Sequence, residues 1–116
     1  MEDFSWRSLV LKSQNPDGGW GYFPGKPSWL EPTAWAALAL HGHESAERGY
    51  KLIRRWQYPD GSTRPCEMVD SPHWTAALLV KLAVLRRDVP VAQRGLKYLM
   101  ETIGSESGPA LSRSPK

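Results

Sequence analysis

The sequence predicts an all-α protein of helical hairpin repeats, and three echoes within it carry that expectation. Gln14-Asn15-Pro16-Asp17-Gly18 returns 43 positions later as Gln57-Tyr58-Pro59-Asp60-Gly61. Thr33-Ala34 returns as Thr75-Ala76 at an offset of 42, each time opening an apolar run. Gly49-Tyr50-Lys51 returns as Gly95-Leu96-Lys97 at an offset of 46. Self-similarity at one such period is the mark of a repeat architecture.

The elements follow in chain order. Trp6, Leu9 and Val10 predict a short amphipathic helix over 4–13. A Gly/Pro/Asp loop over 14–31 separates it from an apolar helix over 32–41, with Pro32 in the first turn and Gly42 closing the end. Ser45 is placed as N-cap of a helix over 45–56. There Ala46, Gly49, Tyr50, Ile53 and Trp56 form one stripe, with Glu47, Arg48, Lys51, Arg54 and Arg55 opposite. A second long loop, 57–71, leads to an apolar helix over 72–86 capped by Ser71. The last helix, 90–103, sets Ala92, Gly95, Leu96, Leu99 and Ile103 against Gln93, Arg94, Lys97 and Glu101. Helices with one solvated face therefore alternate with helices apolar on every side, and the latter require cover on every side. The order is outer, inner, outer, inner, outer. Residues 1–104 hold the repeats, and the Ser/Gly/Pro-rich stretch 105–116 reads as a flexible tail. Loops of such length carry structure or function, and Trp20, Tyr22, Phe23 and Trp29 offer apolar surface for packing the first one down.

Composition narrows the function. A net charge of +3, mild and scattered over 116 residues, points away from nucleic acid. The longest apolar run, Ala34 to Leu40, is too short to span a bilayer. The acidic opening Met1-Glu2-Asp3 with no apolar stretch after it predicts no secretory leader. With Cys66 alone there is no internal disulfide and no zinc-finger spacing, which favours a cytoplasmic setting.

Leu11-Lys12-Ser13-Gln14-Asn15-Pro16-Asp17-Gly18-Gly19-Trp20-Gly21 resembles the Gln-Trp repeat of the triterpene cyclases. Glu31-Pro32-Thr33-Ala34-Trp35-Ala36-Ala37-Leu38 is similar to an inner helix of squalene-hopene cyclases and protein prenyltransferase β subunits. The resemblance spans residues 5–104 and implies an α/α-toroid-type repeat, in which Gln14, Gly19, Trp20, Gln57 and Gly61 are structural motif residues. Gln14 would reach free backbone groups at a neighbouring helix end, and Trp20 would supply a flat stacking surface. The second copy lacks the Trp, since Ser62-Thr63-Arg64 follows Gly61, and Ile103 stands where a third Gln would fall. About two and a half hairpins make an incomplete ring.

The chemistry of the family does not carry over. The cyclase acid motif, Asp-x-Asp-Asp, has no counterpart among Asp3, Asp17, Asp60, Asp70 and Asp88. The prenyltransferase zinc set begins Asp-x-Cys, but here Pro72 stands two residues after Asp70, and no His follows His73. No catalytic residue and no cofactor are assigned.

Other residues keep two readings each. Cys66, Asp70 and His73 are zinc-ligand types within eight positions; against this stand a half-buried thiol, a helix-terminal charge and a surface histidine. Glu31 and Asp70 precede inner helices and suit either a helix dipole or a substrate site. Trp35 and Trp74 lie on the inner helices, as core residues or as substrate-binding aromatic faces. His41 and His43 flank Gly42 at a helix end.

The expected function is a prenyltransferase/squalene cyclase-like repeat domain, partial or catalytically inactive. One alternative is part of an oligomeric or two-chain enzyme binding an isoprenoid ligand, with a second copy or a companion toroid chain as partner. The other is a helical-repeat interaction module. Peripheral membrane attachment is a further expectation of the resemblance, although no apolar plateau supports it.

Overall fold

The computed structural model describes residues 5–70 and 76–113, with side chains as far as Thr102. Five helices follow one another: α1 (Trp6–Lys12), α2 (Leu30–Ala39), α3 (Glu44–Arg54), α4 (Ala76–Leu85) and α5 (Val89–Arg113). Among the described residues there is no strand, only isolated bridges such as Trp29 with Cys66. The protein is all-α. α2 packs against α3 and α4, while α4 packs against α3 and α5. The two Ala/Leu-rich helices thus lie side by side, with α3 and α5 on them.

Sequence accounts for most of this. On α3 and the turn that follows it the stripe Ala46, Gly49, Tyr50, Ile53 and Trp56 is buried, and Glu47, Arg48, Lys51, Arg54 and Arg55 are exposed. With Leu30, Ala34, Ala37 and Leu40 from α2 and Leu79, Leu82 and Ala83 from α4, it forms the core. Burying an aliphatic side chain of this kind contributes about 1.5–3 kcal/mol.

Several expectations are corrected. α2 starts at Leu30, so Glu31 lies inside the first turn rather than before the helix. Ser45 does not cap α3; His43 does, its Nδ1 accepting from the Ser45 amide at 3.0 Å. Gly42, at φ +97°, makes the turn between α2 and α3. Among the described residues the apolar helices are not covered all round: Trp35, Val84 and Leu85 are exposed. Leu96 also faces outward, 53% exposed, because α5 is packed on its Val91/Gly95 side. α5 itself runs from Val89 to Arg113. Helix propagation needs only local hydrogen bonds and can outrun the packed face. Ser71 and its capping role lie outside the described residues.

The two loops are built alike, and each clamps the next outer helix. Gln14 Nε2 donates to the Ser45 carbonyl at 3.0 Å, and Arg48 donates to Gln14 Oε1 at 3.1 Å. One repeat on, Gln57 Nε2 donates to the Val91 carbonyl at 3.0 Å, and Arg94 donates to Gln57 Oε1 at 3.0 Å. Asp17 accepts from the Gly19 amide and Ser28 hydroxyl; Asp60 accepts from the Ser62 amide and hydroxyl. Gly18 and Gly61 both have positive φ and both press on the outer helix, at the carbonyls of Arg48 and Arg94. Gln14 thus reaches a backbone group at the start of the neighbouring outer helix, a carbonyl, and Gln57 does the same one repeat on. A buried amide with both ends bonded contributes on the order of 1 kcal/mol and costs more when one end is stranded. Accordingly Gln14→Ala and Gln57→Ala should each lower stability by about 1–2 kcal/mol in urea denaturation. A cost under about 0.5 kcal/mol at both positions would mean that the loop backbones hold without the amides.

A charge cluster ties α3 to the start of α5. Asp88 Oδ2 accepts from Tyr50 Oη at 2.7 Å and from Arg54 Nε at 2.6 Å. Arg86 lies over the Tyr50 ring, 5.0 Å from its centroid, and pairs with Glu47. Burial pushes the Asp88 carboxyl up, but the hydrogen bonds from Arg54 and Tyr50, with the Arg54 charge, outweigh it and hold the carboxyl below the usual range. The Ser62 hydroxyl and amide hold Asp60 low as well. Unfolded, such carboxyls titrate near about 3.9, so the unfolded chain binds the extra protons. This contribution is therefore complete above that pH and is lost as pH falls through the lower native values. The denaturation midpoint should fall between pH 5 and pH 2 by less in Asp88→Asn than in the parent chain. Equal slopes would refute the assignment.

Candidate functional site

Among the described residues, α1 differs from α3 and α5 in carrying no loop of the repeat. Gly18, Gly19 and Trp20 of the first loop lie against α3, with Gly19 over Leu52 and Trp20 over Gly49. Stepping back one repeat from Gly49 and Leu52 reaches Trp6 and Leu9. No loop of this kind lies on α1 among the described residues. Leu9 is 51% exposed where Leu52 is 4% exposed. α1 buries no residue of its own; the Trp20 indole holds it, donating from Nε1 to the Val10 carbonyl at 2.7 Å.

Between α1, the first loop and α2 this leaves a cleft of about 540 Å³. Its walls are apolar: Leu9 and Val10 from α1, Trp20, Tyr22, Phe23 and Pro24 from the loop, and Trp35 and Ala36 from α2. Trp35, 55% exposed, stands on the bare side of α2. Glu31 is the carboxylate of the cleft, and its Oε1 accepts from Tyr22 Oη at 2.7 Å. The Tyr22 ring lies 5.8 Å from that of Trp29, tilted by 55°. Burial, then the hydrogen bond and charge of Glu31, push the Tyr22 phenol up to about 12, so it remains a neutral donor.

The site residues expected from sequence are thus divided. Glu31 and Trp35 share the cleft. Asp70 does not; it is exposed beside Arg64, 3.2 Å away, and accepts from Tyr58 Oη. Trp74 and His73 lie outside the described residues. Cys66 is buried, in backbone pairing with Trp29 and Val69, while the Asp70 side chain is 74% exposed. Among the described residues no group of three His, Cys, Asp or Glu is placed to hold a metal ion. Gln14, Gly19, Trp20, Gln57 and Gly61 all sit in the two loop clamps.

Tyr22 and Phe23, expected to pack the first loop down, are exposed instead. Nothing local marks Tyr22 as a partner of Glu31. Arg48 and Arg94 were read as solvated charges, yet both hold the clamp glutamines; their common offset of 46 was the available signal. Among the described residues no helix is long and apolar enough to cross a membrane. No family model matches the chain, and neither the curated proteins nor the solved structures hold a match to it.

Proposed function

We propose that this chain is a non-catalytic segment of an α/α-toroid-type repeat, of the kind it resembles in terpenoid cyclases and prenyltransferase β subunits, whose bare inner-helix side is completed by further hairpins. The supporting observation is the twofold clamp: Gln14 and Gln57, one repeat apart, make the same bonds to the next outer helix. A matching Asp17/Gly18 and Asp60/Gly61 turn accompanies each. The acid motif and the zinc set are both missing from the sequence, which is why no catalysis is assigned. Val84 and Leu85 are apolar side chains in water, the kind of surface a further repeat covers.

The test is the solution mass by light scattering after gel filtration. The expected result is a discrete small oligomer. A monomer that unfolds cooperatively would overturn the reading and leave an open interaction module.

A second reading, an isoprenoid-binding half of an oligomeric or two-chain enzyme, draws on the meeting of Glu31 and Trp35 in one cleft. Saturable binding of farnesol, competed by longer isoprenoids, is its expected sign. Absence of binding by demonstrably folded protein would remove it.

A further inference from the structure

We propose that the cleft between α1 and α2 is a binding site for an organic cation with an apolar body, such as an alkylammonium, whose charged head is held by Glu31 among Tyr22, Phe23 and Trp35. This does not depend on kinship with any enzyme. It follows from what lines the cleft.

The volume, about 540 Å³, suits a small organic ligand. Three exposed aromatic side chains, Tyr22, Phe23 and Trp35, border it, and Trp20 is buried behind them. Aromatic faces attract cations through the ring quadrupole, and most strongly where water is displaced. No Lys, Arg or His belongs to the lining. Glu31 makes one hydrogen bond, from Tyr22, and no ion pair among the described residues. Its second oxygen is left for a ligand.

Charge selects among ligand classes. An anion would meet the Glu31 carboxylate in an apolar setting and be repelled. A neutral apolar chain would bury that carboxylate without a partner, a cost that cancels much of what the apolar walls supply. A cation removes the cost and gains the aromatic faces. Tyr22 fixes the carboxylate by its short bond, while its contact with Trp29 steadies the ring.

The experiment compares octyltrimethylammonium, octyl glucoside and octyl sulfate, each below its micelle-forming concentration, by tryptophan fluorescence and calorimetry. Their chains are equal, so differences report the head group. The ammonium should bind at least about tenfold more tightly than the glucoside, and the sulfate most weakly. Glu31→Gln keeps an acceptor for Tyr22 and should reduce that preference to near unity, weakening ammonium binding and, with the carboxylate charge gone, tightening glucoside binding. Circular dichroism establishes that the variant is folded. Equal binding of all three ligands, retention of the preference in E31Q, or no saturable ammonium binding would each overturn the proposal. Tight farnesol binding with no ammonium preference would overturn it as well, and would favour the isoprenoid reading of the same cleft.

Discussion

Gly61→Ala is expected to be the most damaging small substitution in the chain, costing about 3 kcal/mol or more. Two penalties coincide there. Gly61 has φ +93°, a conformation that costs an L-residue about 1–2 kcal/mol. A Cβ would also run into the carbonyl oxygen and carbon of Arg94, which belong to the backbone of α5 and cannot rotate away. Relief would require the second loop to lift from α5, and the Gln57 amide would then lose Val91 and Arg94 together. Gly25→Ala is the control. It has φ +83° with nothing within 4 Å of the new methyl, so only the conformational cost applies, about 1 kcal/mol. Equal costs for the two variants in urea denaturation would show that the loop is not pressed against α5. Gly18→Ala should fall between them, since its Cβ would lie 2.9 Å from the Arg48 carbonyl oxygen.

Trp20→Ala should cost about 3–5 kcal/mol, as removal of a buried aromatic side chain does. Its ring rests over Gly49, its amide donates to Thr33 Oγ1 at 2.8 Å, and its indole donates to Val10. The substitution therefore detaches α1 as well as opening a cavity. Hydrogen exchange should show the α1 amides losing protection first, while α3 and α4 follow the global stability. Trp20→Phe retains most of the ring and loses only the indole bond; its expected cost is nearer about 1 kcal/mol beyond the lost volume. If Trp20→Ala leaves α1 protected, the indole is not what holds that helix.

Much of the fold was legible because it is written in local periodicity. The α3 stripe from Ala46 to Trp56 repeats at helical spacing, and the burial of each member followed. The loop turns were equally readable: Asp-Gly needs an Asx-type turn and positive φ, and both copies have them. The site was half legible. Glu31 and Trp35 stand four apart on α2 and reach one cleft, as helical geometry requires. Tyr22 comes to them from a loop with no period, so only the folded path of residues 20–29 could bring its hydroxyl to Glu31. Asp70 does not join them in the cleft. It matched Glu31 by its place before an inner helix, but Arg64 and Tyr58 hold it elsewhere.

By itself the sequence settled the helical class, the repeat, the alternation of charged and apolar helices, and the residues of the two turns. Each of these is decided within a few neighbours along the chain, by side-chain period, backbone freedom and local hydrogen bonding. Tertiary structure decided which sides remain open. An apolar helix reads the same whether one of its sides or all of them are covered, because periodicity records polarity and not the presence of a neighbour. Only the packing shows that a loop covers α3 and α5, that none of the described residues does this for α1, and that Trp35 is exposed in the cleft it shares with Glu31.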